Sequence, residues 1–219
     1  MIKNRDIPAE LRQLNSAFSK LAYRHDISRI FEDFLTIVIC CMAYQTQEPL
    51  YLQTVKNYNR EELDHFAQMF GELLVIYAQA NSSKTWCDPL GDFYEALAGN
   101  YKKSMLGQFF TPKPICDMMA SFVIDPNDFG KNVNEPTCGS GRIVLAANNI
   151  AEGNYYVCQD LDPICCKMAA INLCFHEVRA EIHCMDVLRN TDPIVTYQTN
   201  YAIWKTKSPY ITLQNWSSN

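Results

Sequence analysis

Val133-Asn134-Glu135-Pro136-Thr137-Cys138-Gly139-Ser140-Gly141 is the stretch on which the fold turns. Val133 to Pro136 has the make-up of a short strand, and the run from Thr137 to Gly141 that of a tight glycine turn. An apolar helix from about Ile143 to Ala151 comes next. Tyr155 to Gln159 is a second strand, ending at Asp160-Leu161-Asp162-Pro163. There Asp162 is placed to cap a helix that starts at Pro163 and runs to about His176. Glu181 to Cys184 is a third strand, ending at Met185-Asp186. Strand, helix, strand, helix, strand with short links predicts a parallel sheet of the doubly wound type.

Upstream the texture is helical. Arg29 to Tyr44 carries Ile30, Phe31, Phe34, Leu35, Ile37, Val38 and Cys41 as a wide apolar stripe. Asn59 precedes Arg60-Glu61-Glu62, a capping-box start, and Leu63, Phe66, Phe70, Leu73, Leu74 and Tyr77 repeat behind it at three and four. Asp88-Pro89 has the form of an N-cap and first helical residue, and Gly99 that of a stop. Thr111-Pro112 has the same form, and Ile115, Met118, Met119 and Phe122 then make one apolar face. The expected organisation is a helical domain over 1–104 and an α/β domain over 105–219.

Composition narrows the function. Of 219 residues 48% are hydrophobic and 20% charged, which excludes a disordered or low-complexity chain. Nineteen Lys+Arg against 24 Asp+Glu leave a net charge of −5, so binding to nucleic acid by general basicity is excluded. The first twenty residues do not resemble a signal peptide, and the longest apolar run, Phe34 to Tyr44, has 11 residues, too few to span a bilayer. The expected compartment is therefore the cytoplasm, without membrane contact, and the ten cysteines are expected as free, buried thiols with no metal site.

In an open parallel sheet, ligands bind beyond the carboxyl ends of the strands. Three strand ends carry suggestive groups. The Gly139-Ser140-Gly141 turn lets the backbone approach a ligand, and the helix behind it aims free N–H groups at the same place. Asp160 stands 19 residues after Gly141, a position suited to a ribose diol. Asp186 ends the third strand. Val144 occupies the last position of a dinucleotide fingerprint, and no Walker lysine follows the glycines. Adenosine without phosphates fits better, and S-adenosyl-L-methionine is such a cofactor.

Gly107-Gln108-Phe109-Phe110-Thr111-Pro112, then Glu135 to Gly141, then Gln159-Asp160-Leu161-Asp162-Pro163 resemble three ordered motifs of adenine-N6 DNA methyltransferases. The likeness is closest to the modification subunit of type I restriction systems, and it covers roughly residues 88 to 190. It implies a class I methyltransferase sheet. Gln108, Phe109, Phe110, Thr111 and Pro112, with Glu135, Thr137, Cys138, Gly139, Ser140 and Gly141, would hold the methionine part of the cofactor. Asp160 would take the ribose and Asp186 the adenine edge. DNA is the implied substrate, and a protein partner would supply sequence recognition.

The chain departs from that pattern at the catalytic motif. The family's Asn-Pro-Pro-Tyr/Phe is absent; the nearest match is Ser208-Pro209-Tyr210, 22 residues after Asp186. After Asp186 only 33 residues remain, enough for one to three short strands rather than the seven-stranded sheet of the family, so the expected sheet is truncated. Tyr197, Tyr201, Trp204, Tyr210 and Trp216 in this segment suit a terminal hairpin with a partly exposed aromatic face. Two other functions stay open: a cofactor-binding subunit or regulator without methyl transfer, and a methyltransferase acting on RNA or protein.

Overall fold

The computed structural model describes residues 7–100 and 109–215. The first stretch forms α1 (Arg12–Leu21), α2 (Ile27–Met42), α3 (Glu48–Val55), α4 (Arg60–Ser82) and α5 (Pro89–Asn100). Side chains close the helix starts. Asp26 accepts from the Arg29 amide at 3.1 Å. Asn59 and Glu62 form the expected capping box, each side chain accepting from the other's amide at 3.0 and 2.9 Å. Phe18, Phe31, Phe93 and Tyr94 meet at ring separations of 5.1 to 6.1 Å and knit α1, α2 and α5 together. Leu74, counted with the stripe of α4, is exposed.

The second stretch holds α6 (Lys113–Val123), β1 (Asn132–Glu135), α7 (Arg142–Ile150), β2 (Tyr155–Asp160), α8 (Pro163–Phe175) and β3 (Arg179–Cys184). β4 (Val195–Thr199), the short α9 (Ile203–Thr206) and β5 (Ile211–Asn215) complete it. The protein is thus α/β, and the expected β-α-β-α-β unit is present: β1, β2 and β3 run parallel. The whole sheet is mixed, however, in the order β1-β2-β3-β4-β5, with β4 antiparallel to β3 and β5 antiparallel to β4. The reason is the connection. Residues 185–194 contain no helix, and a parallel return needs a dozen or more residues. Thr111 is not a cap; α6 begins at Lys113 after Pro112, with Pro114 in its first turn.

The side chains that alternate along the strands divide the sheet's two faces. Tyr156, Cys158, Ala180, Ile182, Cys184 and Tyr197 are buried. Tyr155, Gln159, Arg179, Glu181 and His183 lie half-buried on the opposite face. α8 is buried along nearly its whole length, with Cys165, Cys166, Met168, Ile171, Leu173 and Cys174 all inaccessible. All ten cysteines are free, and eight are buried. Among the described residues no helix is long and apolar enough to cross a membrane.

One buried hydrogen bond ties α4 to α8: the Tyr77 hydroxyl donates to Asn172 Oδ1 at 2.5 Å, and the Tyr77 ring stacks on Phe175 at 4.9 Å. Tyr77→Phe keeps the stacking and strips the Asn172 carbonyl of its donor. We expect a loss of about 1–3 kcal/mol, read as a lower urea midpoint with an unchanged denaturant slope.

Candidate functional site

The Thr137–Gly141 turn is built from backbone constraints. Gly139 and Gly141 hold φ of +54° and +94°, a region that side chains disfavour. A Cβ on Gly139 would stand 3.0 Å from the Phe110 ring. The Cys138 amide donates to Gln159 O at 2.9 Å, and the Gly141 amide donates back to Cys138 O at 2.8 Å. Gly141 is the N-cap of α7 and brings no side-chain cap, so the helix opens bare toward the turn.

Asp160 locks this turn to β2. Its Oδ2 accepts from the Gly139 amide at 2.8 Å and its Oδ1 from the Asp162 amide at 2.9 Å. A carboxylate oxygen has a second lone pair, so each remains able to accept one more donor. Asp162 caps α8 as expected, accepting from the Ile164 amide at 2.8 Å.

A cavity of about 300 Å³ opens at this point, beyond the carboxyl ends of β1 and β2. Eight of the residues expected at the site line it: Phe109, Phe110, Thr111, Thr137, Cys138, Gly139, Ser140 and Asp160. Arg142 and Ile143 line it too, and the sequence reasoning had missed both. Gln108 lies outside the described residues. Pro112, Glu135, Gly141 and Asp186 do not line the cavity. Glu135 accepts from the amide and hydroxyl of Thr137 at 3.1 and 3.3 Å and so shapes the turn from behind. Asp186 closes its own turn, accepting from the Arg189 amide at 3.1 Å and the Arg189 guanidinium at 3.0 Å.

A larger cavity, about 540 Å³, lies between α2, α3 and the β4–β5 hairpin. Two of its cations are paired, Lys167 with Glu32 at 2.8 Å and Arg29 with Asp33 at 3.5 Å, Lys56 lines it as well, and it has no glycine turn.

Ser208-Pro209-Tyr210 is not brought to the turn. Ile211 pairs with Thr199, and Thr199 with Ala180. The tripeptide therefore sits at the amino ends of the parallel strands, and β5 is four strands from β1, roughly 19 Å at the usual strand spacing. Tyr210 is buried there, its hydroxyl accepting from the Ala202 amide at 2.5 Å.

The support of the site is a buried ionic network. Arg142 is 7% exposed. Its Nε donates to Asp88 Oδ2 at 2.6 Å, and its Nη2 to Asp92 at 2.7 Å and Glu95 at 3.0 Å. The Ser140 hydroxyl donates to Asp88 Oδ2 at 2.5 Å. Asn172 Nδ2 donates to Asp88 Oδ1 at 2.7 Å and to Ser140 O at 2.8 Å. Asp88 also caps α5, accepting from the Gly91 amide at 2.8 Å. Glu95 extends the network to Phe110, whose amide donates to its Oε1 at 2.8 Å. Burial opposes the charge on Arg142, and the facing carboxylates outweigh it, so its pKa lies above the ordinary value.

Burial, with Asp88 close by, pushes Asp92 up to about 6 against the pull of Arg142. A carboxyl raised on folding favours the folded state below its unfolded pKa, and that contribution is lost as pH rises through the folded value. The Asp92 share of stability should therefore fall between about pH 4 and pH 6. The limb is shallow because the side chain is partly solvated. Carboxyl NMR should place the Asp92 midpoint near 6, and Asp92→Asn should flatten that limb in denaturant titrations. Arg142→Met should cost about 3–5 kcal/mol, because it leaves buried carboxylates uncompensated.

Comparison with known proteins places this geometry. The N-6 DNA methylase family model matches residues 86–211. The type I restriction enzyme MjaVII methylase subunit of Methanocaldococcus jannaschii is 26% identical over 129 residues, 54% of this chain and 22% of the relative. The type I restriction enzyme MpnII methylase subunit of Mycoplasma pneumoniae is 28% identical over 104 residues, 43% of this chain and 19% of the relative. A crystal structure of a type I restriction-modification methyltransferase subunit from Streptococcus thermophilus superposes with a TM-score of 0.46 at 23% identity. That match covers 84% of this chain and 40% of the other. The matched stretches thus amount to about a fifth of the length of these two curated relatives. The family match takes in Asp88, the glycine turn, Arg142 and Asp160 and spans more than half of the sequence, so the chain belongs to the N-6 DNA methylase family.

Proposed function

We propose that the cavity at the carboxyl ends of β1 and β2 binds S-adenosyl-L-methionine, in a class I methyltransferase-like site that serves adenine-N6 methylation of DNA. The observation that carries this reading is the joint placement of the glycine turn, Phe110, Thr111 and Asp160 around one cavity. Its volume lies at the lower end of the roughly 300–1,000 Å³ usual for small-molecule sites. The donor set suits the cofactor. Asp160 keeps a free acceptor on each oxygen for a ribose diol, and the bare start of α7 favours the methionine carboxylate. When bound, the cofactor supplies an activated methyl group on sulfur. This chain's residues hold it: Asp160 orients the sugar, the turn's backbone meets the amino-acid end, and Phe110 closes over Gly139. Asp186 would have to share its carboxylate with Arg189 to take the adenine amino group.

Isothermal titration with S-adenosyl-L-methionine and its demethylated product should give saturable heat. No heat and no thermal shift at millimolar ligand would sink the reading. Asp160→Ala removes a charge-assisted acceptor and should weaken binding by about one to two decades. Gly139→Ala should also weaken it, because the new methyl group meets Phe110 across the cavity.

The reading extends to a cytoplasmic restriction-modification methylase that works with DNA and with a partner chain for sequence recognition. A second reading, a cofactor-binding subunit without turnover of its own, is favoured by the site of Ser208-Pro209-Tyr210. That tripeptide lies at the far edge and opposite end of the sheet, out of reach of a methyl group held at the turn. The net charge of −5 also disfavours phosphate contacts by this chain alone. We therefore expect cofactor binding without methyl transfer from the isolated chain. The check is single-turnover methylation at low salt on unmodified genomic DNA. Robust N6-methyladenine, lost in Ser208→Ala, would overturn this expectation.

A further inference from the structure

The cavity of about 540 Å³ between α2, α3 and the β4–β5 hairpin takes no part in the cofactor reading. Tyr197 stands opposite Leu213 and Val195 opposite Asn215 in the hairpin. All four line the cavity, so this face of the hairpin looks toward α2 and α3 across it. α2 and α3 precede residue 86, so that wall lies outside the stretch matched by the family model.

The carboxylates of the cavity are answered within the chain. Glu32 accepts from Lys167 Nζ at 2.8 Å. Asp33 accepts from the Tyr58 hydroxyl at 2.7 Å and lies 3.5 Å from Arg29 Nε. Three donors are left over. Lys167 gives a second proton to Thr36 Oγ1 at 3.1 Å and, with three to give, keeps one. The exposed Lys56 ammonium has no partner among the described residues. Tyr197 is 4% exposed, and its hydroxyl has no hydrogen-bond partner among the described residues, although a buried hydroxyl without one is costly. Burial first, then Cys166, Cys184 and Glu32, raises the pKa of Tyr197, so the hydroxyl is a neutral donor. The influence of Glu32 puts that hydroxyl on the side of the cavity where Lys167 stands.

We infer that this cavity is a second ligand site, for a small organic monocarboxylate. The carboxylate meets the Tyr197 hydroxyl and the Lys167 ammonium, and an apolar body lies on Ile39, Leu50, Ile194, Val195 and Leu213. The chemistry selects this class. Tyr197, Lys167 and Lys56 all have protons to give, so the ligand must accept. Three cations and two carboxylates line the cavity, and one excess positive charge answers a monoanion. Arg29, the group shaped to fork onto a phosphate, already faces Asp33. The five apolar side chains call for a hydrocarbon body, which no inorganic anion has, and the volume is that of a small-molecule site.

The probe is octanoate, titrated calorimetrically into the whole chain, with octylammonium and inorganic phosphate as counterparts. We expect saturable heat from octanoate and none from the other two. Nuclear Overhauser transfer from the octanoate methylenes should reach the methyl groups of Leu50 and Leu213. Tyr197→Phe removes only an unbonded hydroxyl. It should weaken octanoate binding about tenfold or more and leave the thermal midpoint of the free chain unchanged. Lys56→Glu, at an exposed side chain, should weaken binding as well. The inference does not rest on the cofactor reading, so this titration and the one above fail independently. Four results would overturn it: no saturable heat at millimolar octanoate; octylammonium or phosphate binding as well as octanoate; full affinity in Tyr197→Phe, or a loss there that comes with a lower midpoint; and transfer to Ile143 in place of the two leucines.

Discussion

The Asp88 carboxylate is the point on which the site hangs. It is buried and takes four donors: the Gly91 amide, the Ser140 hydroxyl, Arg142 Nε and Asn172 Nδ2. These belong to the start of α5, the glycine turn, the start of α7 and the last turn of α8. Burial raises the pKa of Asp88, while Arg142, Ser140 and Gly91 resist that shift. A buried pair of this kind gains little net stability against apolar packing, but breaking one side of it is costly. Its worth here is positional. It fixes the glycine turn from behind, leaving the turn's backbone toward the cavity, and through Glu95 it fixes Phe110 from the other side.

Much of this was legible in the sequence, and the failures follow a pattern. The β-α-β-α-β unit, the capping box at Asn59 and the caps at Asp88 and Asp162 are local features, set by residues within a few positions of one another. They appear where expected. Arg142 was missed because a lone Arg after a glycine turn looks like an ordinary surface residue. Only the fold shows three carboxylates waiting for it on α5 and just ahead of it. Ser140 has a second role. Its backbone lines the cavity as the glycine turn implies, and the hydroxyl, whose partner the sequence did not show, joins Asp88.

The two remaining candidates do not line the cavity, for different reasons. Asp186 ends a parallel strand, so it does reach the correct end of the sheet, yet it spends its carboxylate on its own turn. Ser208-Pro209-Tyr210 follows a reversal of direction. Once β4 turns back along β3, whatever precedes β5 is carried to the amino ends of the parallel strands. The short link at 185–194 forces that reversal, and with it the separation of the tripeptide from the glycine turn.

α6 shows the limit of reading periodicity as burial. Ile115, Met118, Met119 and Phe122 form the apolar face that the sequence announces, but the helix packs through its smaller side chains, Cys116 and Ala120. Small residues let α6 and α7 approach closely, so that face wins the contact within this chain. The larger side chains stay exposed. A helix that packs by its small face and exposes its large one has its main apolar area still unspent.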